Sequence, residues 1–427
     1  MKITDKIIFF GLFIGLLFVS LNRHSHHPIF DYHSQLFADK AGYHVYAPAF
    51  FYYHMDAANL PEDIVGKTGN GFRISEGKII TKYPIGVAIC QSPFFGAAAV
   101  YDKVIGKTDN LGFTESHHLA LNWSTAIWGI FGLVLIFLTA IRHWNLSRGR
   151  AYLLVCMLLF ASNLLYYMTR DCGMSHTYSF TVFAAIQYVL FGSIKRLEVK
   201  SSELVSLLFL FALVVALRPL NLVFISLPIL YLLLTFKDTI AKIKFKLKWY
   251  SWLISICVAA VPILLQIAYN YYAYGKPFAD SYANETFSNV NNLDILALWF
   301  APNNGALLYS PVLLLVFVGI VKLIRNGNYR STLYILYFVV ISVTYAAWWS
   351  PELGCGFGHR GFTEHLAFFA LPIVGYLAST SKSTIKVLSI FTVLLACLLF
   401  IAQFNFDGCW QATSDWDWAA FFRLLRF

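Results

Sequence analysis

The sequence predicts an all-α, polytopic membrane protein, one domain spanning residues 1–427. Three observations carry that expectation. Hydrophobic residues make up 58% of the chain and charged residues 13%, half of the roughly 25% charge that covers a water-soluble domain. The apolar residues gather into runs near the ~20 residues needed to cross a bilayer. Basic residues collect in every second connection between those runs, a pattern that sets membrane orientation. The formal net charge of +10 is explained by those connections, so no nucleic-acid partner is expected.

The runs follow in order. Lys2 and Lys6 lead into an apolar stretch at 7–22. It has the look of a secretory leader, but only Asn22, Arg23 and histidines follow it, with no small-residue cleavage site, so an uncleaved first span is expected. Further runs lie at 119–141, 151–168, 177–193, 204–217, 221–236, 250–269, 306–324, 332–349, 364–379 and 386–404. Arg142, Arg148 and Arg150 fill one connection, and Lys195, Arg196 and Lys200 another. Lys237, Lys242, Lys244, Lys246 and Lys248 fill a third, Lys322, Arg325 and Arg330 a fourth, and Lys382 and Lys386 a fifth. An N-terminus on the cytoplasmic side puts all five there and leaves Arg170, Arg218, Lys276 and Arg360 in the short external loops. The expectation is about eleven spans, with the C-terminal tail, 405–427, outside.

Two segments could upset this map. Residues 84–101 are apolar but hold Pro84, Gly86, Gln91, Pro93 and Gly96. A span there would turn the Arg142–Arg150 cluster outward, so an interfacial helix is expected. Residues 204–236 could form one long helix, but Arg218-Pro219-Leu220-Asn221 divides them. Long external loops then cover 23–118 and 270–305, and loops of that length usually carry function. The first has aromatic stretches at 43–58 and 84–101 suited to the headgroup layer. The seven cysteines show no metal spacing and no disulfide framework, although Cys172, Cys355 and Cys409 share the external side.

Most acids and histidines fall on that same side, so chemistry is expected there. Asp39, in Gln35-Leu-Phe-Ala-Asp39-Lys-Ala-Gly-Tyr43, is placed to act as a general base for an acceptor hydroxyl; Asp31 is the alternative acid. Asp171 and His176 sit in the hairpin Arg170-Asp171-Cys172-Gly173-Met174-Ser175-His176, wedged between two spans, where ionisable groups are functional hypotheses. Lys82, Arg218 and Arg360 are the external cations placed to grip a phosphate, Arg360 within Gly354-Cys-Gly356-Phe-Gly358-His359-Arg360, where glycine lets backbone approach a ligand. His24, His26, His27, His117 and His118 are candidate transition-metal ligands, although their spacing matches no defined site. Asn284-Glu285-Thr286 is a glycosylation sequon by pattern alone.

Together these features resemble the GT-C superfamily of membrane glycosyltransferases, in particular bacterial relatives of the protein O-mannosyltransferases and aminoarabinose transferases. The likeness rests on Asp39 after the first span, Lys82-Tyr83-Pro84 opening an interfacial helix, Asp171 between the third and fourth spans, Arg218-Pro219 mid-chain, and Gly356 to Arg360 after Trp348-Trp349. The chain departs from that pattern at Lys40, where an acid often stands, and at Tyr83, where the pattern has proline.

The resemblance implies a bacterial inner-membrane enzyme that moves a sugar from a polyprenyl-phosphate donor to a glycan, lipid or protein acceptor outside, inverting the anomeric centre. It implies Asp39 as base, Asp171 as second acid, and Lys82 and Arg360 on the lipid phosphate. A divalent cation is a candidate cofactor. The rival readings are a lipid-linked sugar flippase or other transporter, an O-antigen ligase or polymerase, and a non-catalytic scaffold.

Overall fold

A computed structural model describes residues 1–24, 27–282, 285–410 and 414–426, the side chains of 22–24 excepted. His26 and Asn284, and the side chain of His24, therefore lie outside the described residues. The chain opens with α1 (Ile3–His24), followed by short α2 (Ala38–His44), α3 (Tyr46–Phe51) and α4 (Ile64–Lys67). A hairpin of β1 (Arg73–Ser75) and β2 (Lys78–Ile80) then leads into α5 (Gly86–Val104). Its two-residue turn, Glu76-Gly77, has positive φ at both positions, the geometry that matches strand twist.

The long helices come next. They are α6 (Glu115–Arg142), α7 (Arg148–Phe160), α8 (Leu164–Thr169), α9 (Ser175–Arg196), α10 (Ser201–Leu217) and α11 (Leu220–Thr235). β3 (Glu198–Lys200) precedes α10, and short α12 (Lys237–Ile240) and β4 (Lys244–Lys246) precede α13 (Trp249–Tyr274). The remainder is α14 (Ile295–Phe300), α15 (Ala306–Tyr309), α16 (Val312–Arg325), α17 (Thr332–Ala347), α18 (Leu366–Ser379), α19 (Lys382–Asn405) and α20 (Trp418–Leu424).

The molecule is therefore mostly helical, and six of its described helical segments are long and apolar enough to cross a membrane: α1, α6, α9, α13, Tyr329–Ala347 (which contains α17) and α19. α10, α11 and α18 are shorter apolar helices. Helix α9 is buried along most of its length and packs on α6, α10 and α18, forming the centre of the bundle. In contrast, α13 and α19 expose Trp252, Leu253, Leu264, Ile390 and Leu394. Apolar surface on that scale marks a membrane or partner interface rather than a water-facing one.

Contacts sort the connections into two ends. At one, Asp5 bonds Tyr152 at 2.6 Å and pairs with Arg148, while Lys195 bonds the Arg142 carbonyl. There β3 pairs in parallel with β4, Arg330 bonds the Thr235 carbonyl, and Arg150 bonds the carbonyls of Leu377, Ala378 and Thr380. The five basic connections and the N-terminus thus meet at a single end. At the other, Lys40 meets Asp171, Arg218 meets Glu364, Arg360 meets Asp39 and Asn303 meets Asp415.

Three local outcomes refine the sequence reading. The run 151–168 is broken at 161–163, where Ala161 accepts from Val312 and Asn163 turns its amide into the bundle. The run 306–324 is likewise broken at Ser310-Pro311. Both ends of α5 stay at the acid-rich end: Gly86 abuts Ala216 and Leu217, and Asp102 accepts from Thr114 at 2.7 Å. A disulfide joins Cys355 to Cys409, so the bridge left open among the three cysteines excludes Cys172.

Candidate active site at the acid-rich end

Asp39 lies in the first turn of α2, where a carboxylate is favoured by the helix dipole. Helix α2 approaches the Lys82-Tyr83-Pro84 segment through glycine. A Cβ on Gly42 would fall 2.3 Å from the Gly71 carbonyl oxygen and 2.4 Å from the Tyr83 ring. That closeness brings the Tyr83 hydroxyl onto Asp39, which accepts from it at 2.5 Å. Arg360 donates to the other carboxylate oxygen at 3.2 Å. Burial alone would push the Asp39 carboxyl up, but the charges of Arg360 and Lys82 and the Tyr83 hydrogen bond outweigh it and hold the group below its ordinary value.

Arg360 is delivered by the glycine segment. Gly358 has φ +71 and its missing Cβ would fall 2.2 Å from Tyr309; its N–H donates to Asn304 at 3.1 Å. Only glycine fits that combination of left-handed backbone and close approach.

Lys82 follows β2 and pairs with Glu285 from the 270–305 connection. Its ammonium also lies over the Tyr83 and Tyr282 rings, 5.3 and 5.5 Å from their centroids, a favourable cation–π arrangement. Beside these groups opens a cleft of about 530 Å³ lined by Asp39, Arg73, Lys82, Tyr83, Tyr282 and Glu285, among others. Its size suits a small-molecule headgroup or sugar.

A second cluster is packed behind the first. Glu364, fully buried, accepts from Arg218 at 2.8 Å and from His176 Nδ1 at 2.7 Å. Arg218 also stacks on Tyr345, 5.9 Å from the ring centroid. Removing one partner of such a buried pair typically costs about 3–5 kcal/mol. Tyr43 bridges the two clusters: its ring lies 4.4 Å from that of Tyr83, its hydroxyl bonds Ser175, and Arg218, Asp39 and Arg360 are all within electrostatic reach of it.

Asp39, Lys82 and Arg360 therefore converge, and His176 and Arg218 adjoin them. Asp171 pairs with Lys40 at 3.0 Å, one residue beyond Asp39, so the residue that departs from the resembled pattern is the partner of the second acid. Arg170 turns away and donates to the Phe406 carbonyl, not to Asp171. Asp31 belongs elsewhere, with His27 and His33. The proposed histidine group also divides: His117 sits against Asp102 and Thr114, and His118 on Gln35. Among the described residues, the one grouping with a metal-type donor set is His27, Asp31 and His33.

Tyr83, Glu285 and Glu364 were given no role at the site by sequence. Glu364 carried a usable signal, an acid opening an apolar run four residues after Arg360. Compared with protein-family models, curated proteins and solved structures, the chain matches none, so its function is to be read from these side chains.

Proposed function

We propose that this chain is a GT-C-type glycosyltransferase of a bacterial plasma membrane, taking a sugar from a polyprenyl-phosphate donor to an acceptor at the outer face. The carrying observation is the Asp39 carboxylate held by Tyr83 and Arg360 at the mouth of a cleft that also presents Lys82. The reading includes eleven passes: α1, α6, the broken α7–α8 unit, α9, α10, α11, α13, α16, α17, α18 and α19. The sorting of loop contacts into two ends supports that count, and the Cys355–Cys409 disulfide supports an oxidising compartment at the acid-rich end.

The acceptor hydroxyl attacks the anomeric carbon and its proton passes to Asp39. The bond from that carbon to the phosphate oxygen breaks, its electron pair remaining on the phosphate. Arg360 and Lys82 stabilise the growing negative charge in a partly dry site. Direct displacement inverts the anomeric centre. Asp171, engaged with Lys40, acts as a positioning residue for α2, and Arg218 contributes its field from behind.

The test is transfer from a labelled polyprenyl-phosphate sugar in purified membranes. Asp39→Asn is expected to lose about 10²–10⁴-fold in turnover, and Asp171→Asn a smaller part. Wild-type turnover in both variants overturns the mechanism. Saturable donor movement across liposomes without covalent change would assign a flippase instead.

A further inference from the structure

Beyond the cleft, we propose that His27, Asp31 and His33 form a site for a divalent transition metal of the zinc class, buttressed by Asp407 from the segment after α19. The sequence places two imidazoles and a carboxylate within seven residues, His27-Pro-Ile-Phe-Asp31-Tyr-His33. The chain folds them inward: one ring nitrogen each of His27 and His33 and one Asp31 oxygen all lie within 4.8 Å of one another. His27 Nδ1 is 3.9 Å and His33 Nδ1 2.5 Å from Asp31 Oδ1. These separations bracket the roughly 3.3 Å between ligand atoms each about 2.0–2.1 Å from a tetrahedral ion.

The other nitrogen of His33 has the partner a metal-bound imidazole requires. Nε2 faces an Asp407 carboxylate oxygen at 3.0 Å and the Asp407 carbonyl at 3.1 Å. The Tyr32 hydroxyl donates to the second Asp407 oxygen at 2.6 Å. A carboxylate accepting from the distal N–H of a ligand histidine fixes its tautomer and ring orientation.

The competing account is a metal-free hydrogen-bonded cluster, with His33 held between Asp31 and Asp407. It explains the His33 bonds, whereas a metal also accounts for the His27 ring brought onto His33 at a centroid distance of 3.8 Å. A metal takes both imidazoles in their neutral form, and two imidazoles with one carboxylate suit Zn²⁺, Co²⁺, Ni²⁺ or Cu²⁺ rather than Mg²⁺ or Ca²⁺. The His33 side chain is 7% exposed and those of His27 and Asp31 are 22% and 28% exposed, so an ion can enter from solvent. The site would tie the start of the first long loop to the C-terminal tail.

The experiment uses the full chain in detergent, stripped with chelator and titrated with Zn²⁺ by calorimetry and with Co²⁺ by visible absorption. One equivalent is expected to bind, with cobalt bands of a nitrogen–oxygen site. His33→Ala and Asp31→Asn should each weaken binding at least 100-fold, and Asp407→Asn by about 10–100-fold. Unchanged melting of the stripped variants would show that the fold is retained; if His33→Ala does not fold, His27→Gln and Asp407→Asn carry the same comparison. Binding by these variants equal to wild type overturns the site, since it would then reside in other histidines. No binding of either ion by wild type also overturns it.

Discussion

Asp39 carries one carboxylate and two kinds of neighbour, a hydroxyl and cations, and the balance among them sets where it titrates. Burial raises its pKa, but Arg360, Tyr83 and Lys82 bring it below the ordinary aspartate value, which is about 3.9. A base must be unprotonated to act, so transfer is retained above that pKa and lost as pH falls through it. The acid limb of kcat/KM is therefore expected below the ordinary aspartate range, and Arg360→Gln is expected to move it upward while lowering the plateau. A limb that stays in place in Arg360→Gln would separate Arg360 from Asp39. At this scale the ionisable groups that converge on the cleft were legible in the sequence because polar groups are rare in so apolar a chain. Their partners were not: Arg360 reaches Asp39 across 321 residues and Lys82 reaches Glu285 across 203, and no local pattern encodes such pairings.

Helix α5 decides where Lys82 stands. Its first residue, Gly86, lets the backbone touch α10, for an added Cβ would lie 2.5 Å from the carbonyl carbon and oxygen of Ala216 and from the Leu217 nitrogen. Ile85 also donates to Gln266 of α13 at 2.8 Å. Gly86→Ala is expected to cost about 1–3 kcal/mol by overpacking and to raise the KM for the donor, because Lys82 is displaced with the helix. Gly96→Ala is the control on the same helix, with nothing within 4 Å of its added Cβ, and is expected to be neutral or slightly stabilising. Equal melting of the two variants in detergent would argue against the α5–α10 contact. The placement of both ends of α5 at the acid-rich end was legible from Pro84, Pro93, its glycines and the charge of the following connection. The breaks inside 151–168 and 306–324 were masked by the apolar residues around Ser162-Asn163 and Ser310-Pro311, since hydropathy averages over two polar residues.

For the whole molecule, the decisive regularity is that connections rich in lysine and arginine touch one another and those rich in acids and histidines touch one another. Sidedness follows as a prediction. In right-side-out vesicles, a cysteine placed at Asp280 is expected to react with a membrane-impermeant maleimide, and one at Lys244 only after permeabilisation; the reverse pattern inverts the proposed orientation. The alternation of charge made this arrangement readable in the sequence, whereas the disulfide was not, because spacing alone does not choose among three cysteines. The buried amide of Asn163 carries a last consequence. It donates to the His359 carbonyl and accepts from Thr363 at 3.0 Å and from the Ser310 hydroxyl at 3.2 Å, while the Asn163 backbone N–H donates to that hydroxyl oxygen. The residues on either side of Arg360 are thus pinned to the same point as the start of α16. The guanidinium is pre-positioned by the bundle, so on the proposed function an arriving phosphate would meet a fixed cation and little ordering entropy would be lost on capture. On that reading, discrimination among donors is expected to rest on rigid fit rather than on closure of a mobile loop.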